Sequence, residues 1–227
     1  MTFPLLVALT KTPKRGTRDH KASFIQEVRD AVDNHENLFL FSYENMRSNK
    51  FKDIRMHFRP QKDEMDVPSR IFLGKNKLLQ IALGKTPEDE YSDNLRQVSK
   101  QITESVGLLF TSKPKSEVEE FFASYAEPDF ARAGFVATKD VFVTNEMLFN
   151  HPVSMVEQQF RKQGLPVKIE NGKIVLQDGL KEHRLCKEGE TLSPEKCKLL
   201  VHFGVKLSEF SVKLVCHWSD GEFELLN

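Results

Sequence analysis

Cysteine is scarce in this chain of 227 residues, which contains three: Cys186, Cys197 and Cys216. They are widely spaced and never form a Cys-x-x-Cys pair, which argues against a disulfide framework and against a zinc site. The seven histidines form neither a His-Glu-x-x-His motif nor a cluster with cysteine. The sequence therefore predicts that the protein works in a reducing compartment and holds no metal ion.

Long apolar runs are also missing. No stretch comes near the ~20 consecutive apolar residues of a membrane-spanning helix. Residues 1–9 are apolar, but they lack a charged start and are too short for a signal core, so an extended or irregular start is favoured. Because 39% of the residues are hydrophobic, the chain can form one medium core or two small ones. We expect a globular protein with no membrane partner.

Net charge is absent as well, since 33 basic residues balance 33 acidic ones. The balance is uneven, however: residues 1–61 contain 11 cationic and 7 acidic side chains, a net charge of +4, so the remainder carries −4. Such asymmetry indicates one cationic face. An excess of this size is also common on domains that bind no nucleic acid, so further signals are needed.

Helix and strand patterns alternate over the first 125 residues. Apolar residues at helical spacing predict helices over residues 17–34, 51–58, 78–83, 95–102 and 118–125. Short apolar runs predict strands over residues 38–43, 71–73 and 106–110. This alternation predicts an α/β layer fold.

The composition changes at residues 129–138, which read as a linker of small residues. Beyond it the patterns predict a strand over 141–144, a helix around 155–163, a hairpin over 167–176, a helix around 195–203 and a strand over 211–218. Asn171-Gly172 is a strong hairpin turn signal. Ser193 before Pro194 is typical of a helix start. These elements form a separate set.

The first candidate site follows the strand over residues 38–43. Arg47 lies at the end of this strand, and the next helix carries Lys52, Arg55 and Arg59 on one stripe at spacings of three and four. A stripe of this kind suits a phosphate backbone. An ordinary solvated helix face is the stronger reading of this element taken alone.

The second candidate site is Gly74-Lys75-Asn76-Lys77, between a predicted strand and a predicted helix. A helix start offers free backbone N–H groups, Gly74 permits close approach, and the two lysines add positive charge. The segment is not a Walker A loop, because Ser69 stands where that motif has glycine and Asn76 where it has Ser or Thr. We expect anion binding here and no nucleotide cofactor.

The third candidate site is the basic segment of Lys11, Lys14 and Arg15, just before the first helix. Isolated cations more often decorate a surface, but convergence of the three basic groups on one edge of the layer would favour RNA. No nucleophile elbow or kinase signature is present, and the paired carboxylates Glu119-Glu120 lie within a helical surface. The sequence therefore predicts no catalytic residue and no cofactor.

Ordered motifs lie along nearly the whole chain. The motifs of the first half are Leu9-Thr10-Lys11-Thr12, Asn45-Met46-Arg47, Phe72-Leu73-Gly74-Lys75-Asn76-Lys77, Ala82-Leu83-Gly84, Asp89-Glu90-Tyr91, Asn94-Leu95, Gln97-Val98-Ser99-Lys100 and Val106-Gly107-Leu108-Leu109-Phe110-Thr111. Those of the second half are Phe130-Ala131-Arg132-Ala133-Gly134, Gly164-Leu165-Pro166, Cys186-Lys187-Glu188-Gly189-Glu190, Phe203-Gly204 and Glu209-Phe210. Together these motifs resemble the ribosome assembly factors of the mRNA turnover protein 4 family, paralogues of the large-subunit ribosomal stalk-base protein (universal ribosomal protein L ten family).

The resemblance implies an α/β fold: a layered RNA-binding domain of the ribosomal stalk-base type with a smaller inserted α+β domain. It assigns residues 1–137 and 206–227 to the RNA-binding domain and residues 138–205 to the inserted domain. The terminal strand, over residues 210–218, would return to the first sheet.

The resemblance also implies a non-catalytic role. Such a factor binds rRNA at the stalk base of the large-subunit precursor and holds the place of the mature stalk protein until late maturation. The implied rRNA contacts are Lys11, Lys14, Arg15, Arg47, Lys52, Arg55, Lys75, Asn76 and Lys77. The implied partners are this rRNA, neighbouring large-subunit ribosomal proteins and assembly factors, and a release factor of the dual-specificity-phosphatase type. The implied locations are the nucleus and nucleolus, with passage to the cytoplasm on the precursor.

The main alternative is a mature stalk-base protein. Such a protein continues into helices that bind the small acidic stalk proteins and ends in an acidic tail, whereas this sequence ends at Asn227, nine residues after Trp218. We therefore expect no acidic stalk proteins among the partners. A nucleotide-dependent enzyme is a third possibility, and a rise of the melting temperature with nucleotide and magnesium would reveal it.

Overall fold

A computed structural model describes residues 18–59, 67–149 and 151–226. These residues divide into two compact units. The first unit is drawn from residues 18–43, 48–124 and 212–226, and the second from residues 44–47 and 125–211. The domain bounds expected from the resemblance, at residues 137 and 206, stay a prediction.

The elements follow one another in mixed order. Up to residue 124 they are α1 (Arg18–Asn34), β1 (Asn37–Glu44), α2 (Ser48–His57), β2 (Arg70–Phe72), α3 (Asn76–Leu83), α4 (Leu95–Gln101), β3 (Val106–Thr111) and α5 (Lys115–Ser124). Then come β4 (Ala126–Asp129), β5 (Val141–Thr144), α6 (Asn145–Phe149), α7 (Val153–Lys162), β6 (Val167–Glu170), β7 (Lys173–Leu176), β8 (Glu182–Cys186), α8 (Pro194–His202), β9 (Ser208–Ser219) and β10 (Glu222–Leu225). Every helix and strand predicted from periodicity is confirmed within a few residues.

The sheet of the first unit has the strand order β10-β9-β1-β3-β2. Both β1 and β2 pair antiparallel with β3, and Leu40 and Phe72 lie opposite the same residue, Leu108. The strands β1 and β2 therefore run parallel to each other. Their carboxyl ends, and the helices that follow them, lie at one edge of the sheet.

Helices cover both faces of this sheet. On one face Leu40 packs in the core cluster that contains Leu79 of α3. On the other face the ring of Phe41 lies 6.3 Å from that of Phe51 in α2 and 6.1 Å from that of Phe122 in α5. Burial of one such side chain stabilises the fold by about 1.5–3 kcal/mol. The α/β layer prediction is confirmed.

The second unit has its own core, in which Phe160 of α7 is fully buried. Its β6–β7 hairpin turns at Asn171 and Gly172, whose φ angles are 49° and 73°, as the Asn-Gly signal predicted. Helix α8 begins as predicted: the Ser193 side chain accepts a hydrogen bond from the backbone N–H of Lys196, with Pro194 in the first turn.

Residues 129–138, predicted to be a linker, are instead tied to the chain around residue 190. The backbone N–H of Ala137 donates to the carbonyl of Glu190, and that of Leu192 donates to the carbonyl of Phe135. Both Ala131 and Ala137 are buried. The small residues allow this close packing. Composition alone could not distinguish such a packed segment from a linker.

None of the helices in the described ranges combines the length and the apolar composition that crossing a bilayer requires.

Candidate nucleic-acid interface

Two helix starts of the first unit lie at the same edge of the sheet. Helix α2 begins at Ser48 and α3 at Asn76, shortly after the carboxyl ends of the parallel strands β1 and β2. The two helices pack on opposite faces, α2 against Phe41 and α3 in the cluster with Leu40. The partial positive charge of both helix starts is thus directed to one edge.

The start of α3 carries the second predicted site. Lys75 is the N-cap and makes no side-chain capping bond, and both Lys75 and Lys77 are exposed. Within the described ranges neither lysine belongs to an ion pair. The side chain of Asn76 is already engaged, because its Nδ2 donates to the carbonyl of Glu104 over 2.9 Å. An anion would therefore meet two cations and first-turn N–H groups, with Asn76 acting through its backbone.

Gly74 has a structural explanation that the sequence analysis did not foresee. A Cβ at this position would lie 2.6 Å from Cζ of Phe24 in α1, so any side chain here would require the Phe24 ring to shift. Glycine therefore allows the present packing of α1, independently of any ligand. Since Lys21 is exposed and precedes Phe24 by three residues, α1 adds a cation near this edge. No sequence signal identifies Lys21, because the contact of Phe24 with Gly74 joins distant parts of the chain.

The predicted stripe on α2 is present for Lys52 and Arg55, whereas Arg59 lies beyond the end of the helix at His57, so its place on the stripe was predicted wrongly. Lys52 and Arg55 are exposed, and the same helix buries Phe51 and Ile54. The guanidinium carbon of Arg55 lies 5.0 Å from the ring centre of Phe51. At 1.5 Å per residue, Arg55 lies ~10 Å along the axis from the start of α2. The stripe therefore runs from the shared edge along one face of the unit.

His57, in the last turn of α2, adds no full charge at neutral pH. Its ring stacks on that of Phe121 at 3.9 Å between centres. Burial, aided by the positive charge of Lys113, lowers the pKa of His57 below its ordinary value. The positive charge of α2 therefore rests on its lysine and arginine side chains.

Arg47 belongs to the second unit. Its Nε donates to Oδ2 of Asp129 over 2.7 Å, and its guanidinium also donates to the carbonyl of Phe130 over 3.2 Å. These two bonds engage Nε and one Nη, while the Arg47 side chain stays 38% exposed. The remaining predicted contacts, Lys11, Lys14 and Arg15, lie outside the described residues.

The opposite end of the first unit is acidic. A groove of about 590 Å³ there is lined by Asp33, Glu36 and Asp220, beside the buried Trp218. It lies where α1 ends and β1 begins, away from the start of α3. A polyanion would be repelled from this end and attracted to the other.

The described residues contain no group of three or more histidine, cysteine or carboxylate side chains that could hold a metal ion.

Comparison with known proteins identifies the fold family. The family model for ribosomal protein L10 matches residues 16–127, and the model for the insertion domain in the corresponding 60S ribosomal protein matches residues 131–205. These matches confirm the predicted fold class, a stalk-base type of α/β domain with an inserted domain.

Relatives that match over nearly the whole chain identify the family more narrowly than the two family models do. A Neurospora crassa protein named ribosome assembly factor mrt4 is 37% identical, over 96% of this chain and 88% of the relative. A Dictyostelium discoideum protein of the same name is 34% identical, over 97% of this chain and 93% of the relative. The large ribosomal subunit protein uL10 of Oxybasis rubra is 25% identical, over 89% of this chain and 60% of its own length. The chain therefore belongs to the mrt4 family of ribosome assembly factors, which shares the ribosomal protein L10 fold and its insertion domain.

Proposed function

We propose that this chain is a non-enzymatic ribosome assembly factor that binds rRNA at the stalk base of the large-subunit precursor. There it holds the place of the mature stalk-base protein until late maturation. The observation that carries the proposal is the 37% identity over 96% of the chain to a relative named as a ribosome assembly factor. The likeness to ribosomal protein L10 over residues 16–127 supports a shared rRNA site.

The proposed RNA contacts are the exposed cations of the first unit. Lys75 and Lys77 would bind phosphates beside the N–H groups at the start of α3, with Asn76 contributing its backbone. Lys52 and Arg55 would continue the contact along α2. Phosphate neutralisation by such side chains releases counterions, so binding should weaken steeply with salt. Lys11, Lys14 and Arg15 are proposed as further RNA contacts on the sequence alone.

The proposed cellular setting follows from this site. The precursor would bring neighbouring large-subunit ribosomal proteins and assembly factors, in the nucleus and nucleolus, with passage to the cytoplasm on the particle. Two proteins cannot occupy one rRNA site, so this factor has to leave before the mature protein binds. We assign that step to a release factor of the dual-specificity-phosphatase type. Acidic stalk proteins are not proposed as partners.

The second candidate is a mature ribosomal protein, favoured by the likeness to uL10. Its 25% identity is well below the 37% and 34% of the assembly-factor relatives. Isolation of the tagged protein from cells tests both candidates. Precursor rRNA with other assembly factors is the expected result. Mature subunits and polysomes with acidic stalk proteins would instead establish the second candidate.

A further inference from the structure

The second unit has a groove of about 470 Å³, and every residue that lines it belongs to this unit. Two of the lining residues, Lys139 and Lys206, are exposed lysines. Each lies two residues before a strand, Lys139 before β5 and Lys206 before β9. Within the described ranges neither lysine belongs to an ion pair. The groove therefore brings together two unpaired cations from distant parts of the chain.

Three hydroxyl groups also line the groove. That of Thr138 donates to the carbonyl of Leu207 over 3.4 Å, and that of Ser208 donates to the carbonyl of Asp129 over 3.1 Å. The hydroxyl of Ser211 has no hydrogen-bond partner among the described residues. It can therefore donate to an oxygen of an anion that the two lysines attract.

Arg47 extends the positive charge beyond the groove. Asn45 lines the groove, and Arg47, two residues later, donates to the carbonyl of Phe130 over 3.2 Å. The ammonium of Lys206 lies 6.0 Å from the ring centre of the same Phe130. The Arg47 side chain is 38% exposed although its Nε is paired with Asp129. An RNA backbone that meets Arg47 is therefore close to the lysines of the groove, within one unit.

Two carboxylates at the same groove, those of Glu44 and Glu209, oppose an anion. The exposed Arg132 offsets one of them, because its guanidinium donates to a backbone carbonyl of the adjoining segment over 2.8 Å and forms no ion pair among the described residues. Arg47 and Asp129 balance each other. Together with the two lysines, these groups keep a net positive charge, which favours an anionic ligand.

We propose that the groove of Lys139 and Lys206, called the lysine groove below, is a phosphate site through which the second unit binds RNA. The two lysines and the Ser211 hydroxyl hold the phosphate. The inference rests on the proposed rRNA binding for the identity of the ligand, and on the groups of the groove for the phosphate site itself.

Lys139→Ala/Lys206→Ala tests the lysine groove by RNA binding. A labelled stalk-base rRNA fragment is titrated at several salt concentrations. Two lost phosphate contacts should flatten the slope of log affinity against log salt by ~1.8, at ~0.9 per contact on a duplex. Both side chains are exposed, so the melting temperature should not change. A wild-type slope and affinity in this variant would overturn the proposal.

The matched control lies in the same unit. Lys187→Ala/Lys198→Ala removes the same charge from two other exposed lysines and should keep the wild-type slope. Glu209→Gln removes a carboxylate that lines the groove, so it should tighten binding. Equal flattening in the control, or weaker binding by Glu209→Gln, would show that the lysine groove is not the phosphate site.

Inorganic phosphate separates this site from the proposed function. Amide chemical shifts are followed by NMR while phosphate replaces chloride at constant ionic strength. Shifts are expected at residues 138–139 and 208–211 in the wild-type protein and not in Lys139→Ala/Lys206→Ala. If the wild-type protein shows these shifts but binds no rRNA fragment, the proposed function fails and the phosphate site stands. If it binds the fragment but phosphate shifts no amide of the groove, the proposed function stands and the lysine groove is refuted.

Discussion

Replacing Lys75 and Lys77 together by alanine tests the candidate interface where its geometry is clearest. Both side chains are exposed, and the N-cap makes no side-chain bond that the change could remove. The link from Asn76 to the Glu104 carbonyl, which ties the start of α3 to the residues before β3, is kept. We therefore expect the double variant to fold with an unchanged melting temperature and to lose only cationic charge.

The expected effect on RNA binding follows from counterion release. Each phosphate contact contributes ~0.9 to the slope of log affinity against log salt on a duplex, so two lost contacts flatten the slope by ~1.8. When the salt concentration is raised from about 50 to 200 mM, the affinity of the wild type therefore falls by a factor ~12 times larger than the factor by which the affinity of the variant falls. At the lower salt concentration the variant should bind markedly more weakly.

The assay is a titration of a labelled stalk-base rRNA fragment at four or more salt concentrations. A matched control replaces the exposed Lys187 and Lys198 of the second unit by alanine, which removes the same charge elsewhere. The control should keep the wild-type slope. If Lys75→Ala/Lys77→Ala keeps the wild-type slope and affinity, or if the control flattens the slope equally, the start of α3 is not the phosphate site.

Three further predictions concern the cores and the titrating groups. Phe160→Ala should lower the free energy of unfolding by about 3–5 kcal/mol, because this fully buried ring leaves a cavity; a loss below ~1 kcal/mol in denaturant titration would refute the packing described. Burial raises the pKa of Cys216 to about 12, so its thiol should resist alkylation in the native protein and react on unfolding, and rapid native labelling seen by mass spectrometry would contradict this. Burial lowers the pKa values of His151 and His217, so the unfolded state binds more protons below about pH 6.5 and the melting temperature should fall as the pH is lowered from about 7 to 5; a constant melting temperature would show that these rings are not desolvated.

Sequence patterns predicted the elements with strong local signals. The hairpin at Asn171-Gly172 and the capped start of α8 at Ser193 depend on a few neighbouring residues, so they could be read directly. Strands β4, β8 and β10 were not predicted. Strand β4 contains Pro128, which is rare in strands, and β8 and β10 alternate too briefly among charged residues. Their pairing partners supply the hydrogen bonds that local propensity does not indicate.

The candidate site was predictable only in part. A basic turn before a helix gives a local signal, so Lys75 and Lys77 could be predicted as an anion site, and the structure shows the helix start there. The pairing of Arg47 with Asp129 joins residues 82 positions apart, and no spacing rule indicates it. An engaged cation and an unpaired one look alike in a sequence, because the partner of the engaged cation lies far along the chain.

Mutually exclusive binding is the most direct test of the central claim, that this chain holds the site of the mature stalk-base protein. The purified chain is bound to the stalk-base rRNA fragment, and the mature stalk-base protein is then titrated in, with mass photometry to count the proteins on each RNA. The account predicts that one protein displaces the other, with no RNA carrying both. A stable ternary complex would contradict it, because two proteins bound together cannot share one site.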